Sequence, residues 1–261
     1  ATEGQMIRGP AILPISKRLL PAVFGLLAGI TAANSNPPPT DNRQVFGPES
    51  PTWLRAVGKL QVPGHKYRDG RRAHHREDCS ATLVARPAST KADTIVTAWH
   101  CLEFYRDLSK PITFTLMPGS EQHSTREAYR LADGGGMHAD WAILRLYEAV
   151  SLRDIPAIRV HPERADADRT IAMAGYSRDS GLGNYGEQLT FDPDCAITHQ
   201  SRFRSDSDCT AHKGSSGGAV IQLSALGEPR LCGVISQGDS ARLSTFVPVS
   251  GFRNAINQYL K

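Results

Sequence analysis

Short apolar runs separated by turn residues recur along most of the chain: Ser80–Ala85, Thr94–Ala98, Ile112–Leu116, Ala142–Leu146, Ile171–Gly175, Ala219–Leu223, Leu231–Ser236 and Thr245–Val249. Runs of this length predict strands, and many short strands with few helices predict an all-β sandwich or barrel. In Ile112-Thr113-Phe114-Thr115-Leu116 the apolar residues alternate strictly, which sets one strand face on a core and the other outside it. The last segment has a different period. After Pro248, Ser250 is a candidate N-cap, and Phe252, Ile256 and Leu260 recur every four residues. That spacing predicts a terminal helix over residues 250–261 with a single apolar stripe.

The beginning of the chain follows another pattern. A basic stretch with Arg8, Lys17 and Arg18 precedes an uncharged apolar run, Leu19–Ala33, that ends in small residues. This is the layout of a secretory signal over residues 1–33, with residues 1–5 lying before the expected start at Met6. The run is shorter than the roughly 20 residues a helix needs to span a bilayer. An uncleaved anchor or a buried helix is the competing reading, and cleavage after Ala33, with Thr31 and Ala33 as the small recognition residues, is the expectation. Residues 34–43 open with a polar, proline-rich lead and read as a linker or short propeptide. A secreted or periplasmic location follows, with no stable membrane association once the signal is removed.

Composition adds limits to this picture. A chain of 261 residues that is 40% hydrophobic can bury a substantial core. The net charge of +4 is small and spread along the chain, so nothing points to a nucleic-acid partner. Removing residues 1–33 would take three basic residues and one acidic residue with it, halving that excess. Five cysteines allow two bridges and one leftover thiol, and an oxidising compartment favours bridges over metal binding. The basic, histidine-rich segment Arg71–Asp78 reads as an exposed hairpin tip, because further ligands at metal-site spacings are missing. No metal and no cofactor are expected.

Candidate chemistry enters at Gly214-Ser215-Ser216-Gly217-Gly218, where glycines let the backbone approach a substrate and aim N–H groups at a developing oxyanion. The segment also matches G-x-S-x-G, the nucleophile elbow of hydrolases in which the catalytic histidine follows the serine. None of the nine histidines follows Ser216, so chain order excludes that class. Upstream, His100 lies in Thr97-Ala98-Trp99-His100-Cys101 directly after an apolar run. Between the two, Asp140 opens the apolar segment Asp140–Leu146 and could be buried against an imidazole.

In this order the three motifs resemble those of the chymotrypsin-like serine proteases: TAWHC is similar to TAAHC, DWAILRL to the D-x-A-L-L strand, and GSSGG to G-D-S-G-G. The resemblance runs from about Arg43 to the terminus. The opening DNRQVFGPESPTWLRAVGKL and the run CSATLV (Cys79–Val84) look closest to the bacterial V8-like branch. It implies two six-stranded antiparallel β-barrels and a C-terminal helix within a protease domain of residues 44–261, the barrels spanning about 44–150 and 151–249. It also implies a secreted endopeptidase, expected to be a monomer, acting on protein or peptide substrates. Ser216 would be the nucleophile, His100 the general base and acid, Asp140 its orienting group, and the N–H groups of Gly214 and Ser216 the oxyanion hole. The primary pocket would have Thr210 at its floor, with Ser236, Gln237 and Gly238 pairing with the substrate. Cys79 and Cys101 would be bridged, and Cys195 would pair with Cys209 in preference to Cys209 with Cys232.

The chain departs from the family at three places. Ser215 stands where zymogens of the family have an activating aspartate, Thr210 where trypsin-like pockets have an acid, and Ile235 where glutamate-specific relatives have a histidine. A small or apolar residue before the scissile bond is therefore expected. A non-catalytic binding protein on the same fold, or an esterase using the same triad, would carry the same motifs.

Overall fold

The computed structural model describes residues 40–106 and 109–260. The expected signal at residues 1–33 lies outside them. Among these residues fifteen strands follow one another. They are β1 (Gln44–Val45), β2 (Val57–Arg68), β3 (Arg71–Val84), β4 (Lys91–Thr97), β5 (Ile112–Leu116), β6 (Ser124–Asp133), β7 (Ala142–Ser151) and β8 (Arg159–Val160), then β9 (Ile171–Gly175), β10 (Thr190–Cys195), β11 (Ile197–Gln200), β12 (Ser205–Ser207), β13 (Ala219–Leu223), β14 (Pro229–Gly238) and β15 (Ser244–Pro248). A helix, α1 (Arg253–Tyr259), ends the described chain. Among the described residues no helix is long and apolar enough to cross a membrane.

Strands β2 to β7 close a six-stranded antiparallel barrel in the order β2-β3-β4-β7-β6-β5. The alternation read in Ile112–Leu116 is realised in β5, whose residues 112, 114 and 116 are fully buried. Strand β3 has two regimes. Its first half, Arg71–Glu77, pairs with β2 in an arm with mostly exposed side chains, so the histidine-rich segment is one strand of a hairpin that turns at Asp69–Gly70 and not the tip itself. From Asp78 to Val84 every residue is buried, because one face meets the barrel interior and the other meets the second sheet. A strand covered on both faces loses its alternation.

The second half is one curled nine-stranded sheet, ordered β1-β10-β9-β13-β14-β15-β12-β11 with β8 beside β14. Where two closed six-stranded barrels were expected, only the first closes: β1 and β11 stand at opposite ends of the second path and do not pair. Gln44–Val45 also change sides. They pair with Thr190–Phe191 and extend the second sheet, so the first barrel begins at Val57 rather than near residue 44.

The terminal helix is shorter than its period predicted. Ser250 lies in a 3-10 turn, Val249–Gly251, and the N-cap position is Phe252, with no side-chain cap. The apolar stripe holds, with Phe252, Ile256 and Leu260 all buried. Phe252 stacks on Trp141 at 4.9 Å, and the Arg145 guanidinium donates to the Tyr259 carbonyl at 2.6 Å, so the helix packs against the first barrel.

The two bridges are Cys79–Cys101 and Cys195–Cys209, and Cys232 is a buried free thiol. Burial pushes Cys232 up to about 12, so it behaves as a small hydrophobe in β14. The first bridge closes a loop that contains β4 and ties the turn bearing His100 to β3. Replacing Cys79 and Cys101 together by serine is expected to lower the unfolding free energy by about 3 kcal/mol in a urea titration, through restored chain entropy of the unfolded state.

Candidate active site

Strands β4 and β7 are antiparallel neighbours with Thr97 opposite Ala142. The chain leaving β4 and the chain entering β7 therefore meet at one end of the barrel, which brings His100 and Asp140 together. His100 lies in a 3-10 turn, Trp99–Leu102, and Asp140 is 1% exposed. One carboxylate oxygen, Oδ1, accepts the His100 backbone N–H at 2.8 Å, and Oδ2 lies 2.8 Å from His100 Nδ1. Oδ2 also accepts the hydroxyl of Ser236, carried by β14 of the second sheet. An ionised carboxylate only accepts, so Nδ1 carries the proton and Nε2 presents its lone pair outward.

Ser216 sits in the turn between β12 and β13. Its carbonyl accepts the Ser80 N–H at 2.8 Å, and the Gly217 N–H donates to the Ile235 carbonyl at 2.7 Å. Gly217 has φ +81°, and a Cβ there would fall 2.1 Å from Thr97 Oγ1 and 2.2 Å from the Ser80 carbonyl. Only glycine fits where the turn bearing Ser216 presses on the first barrel. Ser215 turns inward, with both its N–H (3.1 Å) and its hydroxyl (2.6 Å) donating to the His212 carbonyl.

The two peptides that flank Gly214 are each held by their carbonyl. The Lys213 carbonyl accepts the Arg178 N–H at 2.7 Å, and the Gly214 carbonyl accepts the Ser80 hydroxyl at 3.0 Å. The amides of Gly214 and Ser216 donate to no described group, which leaves them available to an oxyanion. The Ser216 hydroxyl is 3.4 Å from the Ser236 carbonyl, its hydrogen bond among the described residues. In this rotamer it is not bonded to His100; such contacts commonly tighten when substrate binds.

A cavity of about 520 Å³ opens beside Ser216, with Lys213, Gln237, Gly238, Arg204 and Thr245 among its walls. Ser236, Gln237 and Gly238 line it, but Thr210 does not. The Thr210 N–H donates to Asp192 Oδ2 at 2.9 Å and its hydroxyl to the Ala241 carbonyl at 2.7 Å. Arg204 is paired with Asp206, which also accepts the Thr245 hydroxyl. Two clusters, Cys79/His100/Cys101 and Asp192/Cys195/Cys209, gather metal-ligating residue types, but disulfide formation withdraws both thiolates from each.

Sequence reasoning missed Ser80, Arg178 and the ion cluster behind them. Ser80 looked like one polar residue in an apolar strand, yet it is fully buried, and its hydroxyl also accepts the Tyr176 N–H at 2.8 Å. In the ion cluster, Arg43 lies between Asp41 and Asp179. The Arg43 guanidinium holds Asp179 down to about 2, against burial. Burial, and then Arg43, push His212 below its ordinary value. The sign for Asp179 follows from a folded value below the ordinary 3.8: its stabilisation is present above that value and is lost as pH falls through about 2. In urea titrations between pH 4 and 2 the native chain is expected to lose stability relative to Asp179→Asn, by on the order of 2 kcal/mol.

A family model described as "Trypsin-like peptidase domain" matches residues 79–228. Comparison with curated proteins gives no match. Among solved structures, the chain is similar to a thermostable serine protease, AL20, from an extremophilic microorganism. That likeness has a TM-score of 0.60 and 19% identity, covering 80% of this chain and 98% of that one, and it concerns the fold.

Proposed function

This chain belongs to the trypsin-like peptidase domain family, and from that premise we propose that it is a serine endopeptidase whose nucleophile is Ser216. The observation that carries the reading is the buried Asp140 carboxylate bonded to His100 through both the backbone N–H and Nδ1, with the Gly214 and Ser216 amides left free. His100 Nε2 takes the Ser216 proton as Oγ attacks the peptide carbonyl. The proton then passes to the leaving amine, and the acyl-enzyme is hydrolysed by water with His100 as base again. Asp140 stabilises the imidazolium, and the two amides receive the negative oxygen of each tetrahedral intermediate.

The accompanying proposals are export, action on protein or peptide substrates as a monomer, and membership of the V8-like branch. For the residue before the scissile bond we propose a small neutral side chain. A Cβ on Gly238 would fall 2.3 Å from the Ala211 carbonyl, so these two segments approach closely beside the cavity, and Arg204 in its wall is paired with Asp206. A peptide-library cleavage profile tests this directly: alanine, glycine or serine is expected to dominate before the cut, and dominance of Lys, Arg or Glu would overturn it. A fluorophosphonate probe tests the nucleophile itself. Labelling confined to Ser216, found by peptide mapping, is expected, and folded, processed protein that stays unlabelled would sink the reading.

A further inference from the structure

The strap before the first barrel carries a charge cluster, centred on a buried arginine, for which the hydrolytic steps above have no use. The Arg43 side chain is 2% exposed, and its guanidinium forks onto two carboxylates. Nε and Nη2 donate to the two oxygens of Asp41 at 3.0 and 2.7 Å, and Nη1 and Nη2 to those of Asp179 at 2.8 and 3.1 Å. A fork of this kind fixes direction as well as distance, which a lysine ammonium would not. Asp41 and Arg43 are held next to β1, which is itself paired with β10.

Asp179 orders the segment that follows β9. Its Oδ2 accepts the Gly183 N–H at 3.3 Å, and its carbonyl accepts the Tyr185 N–H at 2.9 Å. The neighbouring residue, Arg178, donates its N–H to the Lys213 carbonyl. The Lys213–Gly214 peptide is trans, so its C=O and N–H point in opposite directions. Anchoring the carbonyl on Arg178 therefore turns the Gly214 N–H to the other side of the peptide. Gly214, at φ +99°, sits in a region where glycine moves with little resistance, so without an anchor this peptide is free to rotate.

We propose that Arg43 is a positioning residue for the oxyanion hole: by clamping Asp179 it holds the Arg178 amide on the Lys213 carbonyl and keeps the Gly214 amide facing the substrate. The proposal rests on the endopeptidase reading above. Ser215 offers no carboxylate to an incoming amine, and its hydroxyl donates to the His212 carbonyl, so the charge ordered on this side of the turn is a side chain of the strap.

The test compares Arg43→Met, Arg43→Lys and the near-isosteric Asp179→Asn with the native chain. Arg43→Met is expected to lower kcat about 100-fold or more, as for loss of a working oxyanion donor, with KM within about twofold. Affinity for a peptide aldehyde, whose hemiacetal oxygen occupies the hole, should fall in parallel. Asp179→Asn should show the same split, Arg43→Lys a partial one, and added ethylguanidinium should restore part of the rate to Arg43→Ala. A glycine-selective ¹⁵N spectrum reads Gly214 without turnover, and its amide resonance should split or broaden in Arg43→Met. Variants that keep native kcat, aldehyde affinity and a single Gly214 resonance would overturn the proposal, even if they melt earlier. If the native chain showed no Ser216-dependent hydrolysis, the endopeptidase reading would fall, while the Gly214 resonance would still decide the role of Arg43.

Discussion

Ser216→Ala is expected to lower kcat/KM for peptide hydrolysis by about 10⁵-fold or more while leaving the fold unchanged. The hydroxyl has no structural duty that alanine would fail. Its hydrogen bond among the described residues is the long contact to the Ser236 carbonyl, whereas the turn is held by the Ser216 carbonyl on Ser80 and the Gly217 N–H on Ile235. Those backbone bonds survive the substitution. Thermal unfolding should thus coincide with the native chain while hydrolysis of casein and labelling by a fluorophosphonate both disappear. Retained hydrolysis would move the nucleophile elsewhere and end the reading. Peptide capture that survives Ser216→Ala in a chain showing no native hydrolysis would favour a binding protein on this fold. Assaying a simple ester beside a peptide separates an esterase from an endopeptidase, because both use the same acyl transfer.

The second large effect is expected for Asp140→Asn, a loss of about 10⁴-fold in kcat. Asp140 is buried and receives three donors: the His100 N–H, His100 Nδ1 and the Ser236 hydroxyl. An asparagine in the same place offers one oxygen and one NH₂ group. If the oxygen keeps the backbone N–H, the NH₂ faces Nδ1 and the Ser236 oxygen, which forces the imidazole proton onto Nε2. The base then points a hydrogen at Ser216 where a lone pair is needed. The loss should shrink as pH rises, when hydroxide can take over the general-base step. A kcat equal to that of the native chain at neutral pH would show that Asp140 only supports the turn.

Much of this arrangement was legible in the sequence, and the exceptions share a cause. The strands with an apolar run, such as β5, β9 and β13, have the bounds that their pattern predicted. Strand β6 was not visible, because of Ser124–Asp133 only Ala128 is buried, and its apolar residues, Ala128, Tyr129, Leu131 and Ala132, fall at both odd and even positions. It is a strand because the barrel must close between β5 and β7, and its pairing carries no hydrophobic period. Strand β2 was hidden by Pro63-Gly64, which reads as a turn; a Cβ on Gly64 would fall 2.5 Å from the Phe104 carbonyl, so the glycine marks a close approach within the strand.

The triad candidates and the oxyanion glycines could be named from the linear order of three short motifs, because those side chains need particular chemical types at places where the chain turns. The sequence also determined the strand-rich class and the C-terminal apolar stripe, since each follows from local period. Tertiary structure alone decided that β1 crosses to the second sheet, that this sheet stays open, and that Thr210 is not among the residues lining the cavity. It alone joined Arg43 to Asp179 and Ser80 to Gly214, pairs far apart in the chain. Contacts of that kind depend on where strands from the two halves meet, and neither a residue's type nor its near neighbours encode the partner that burial will demand.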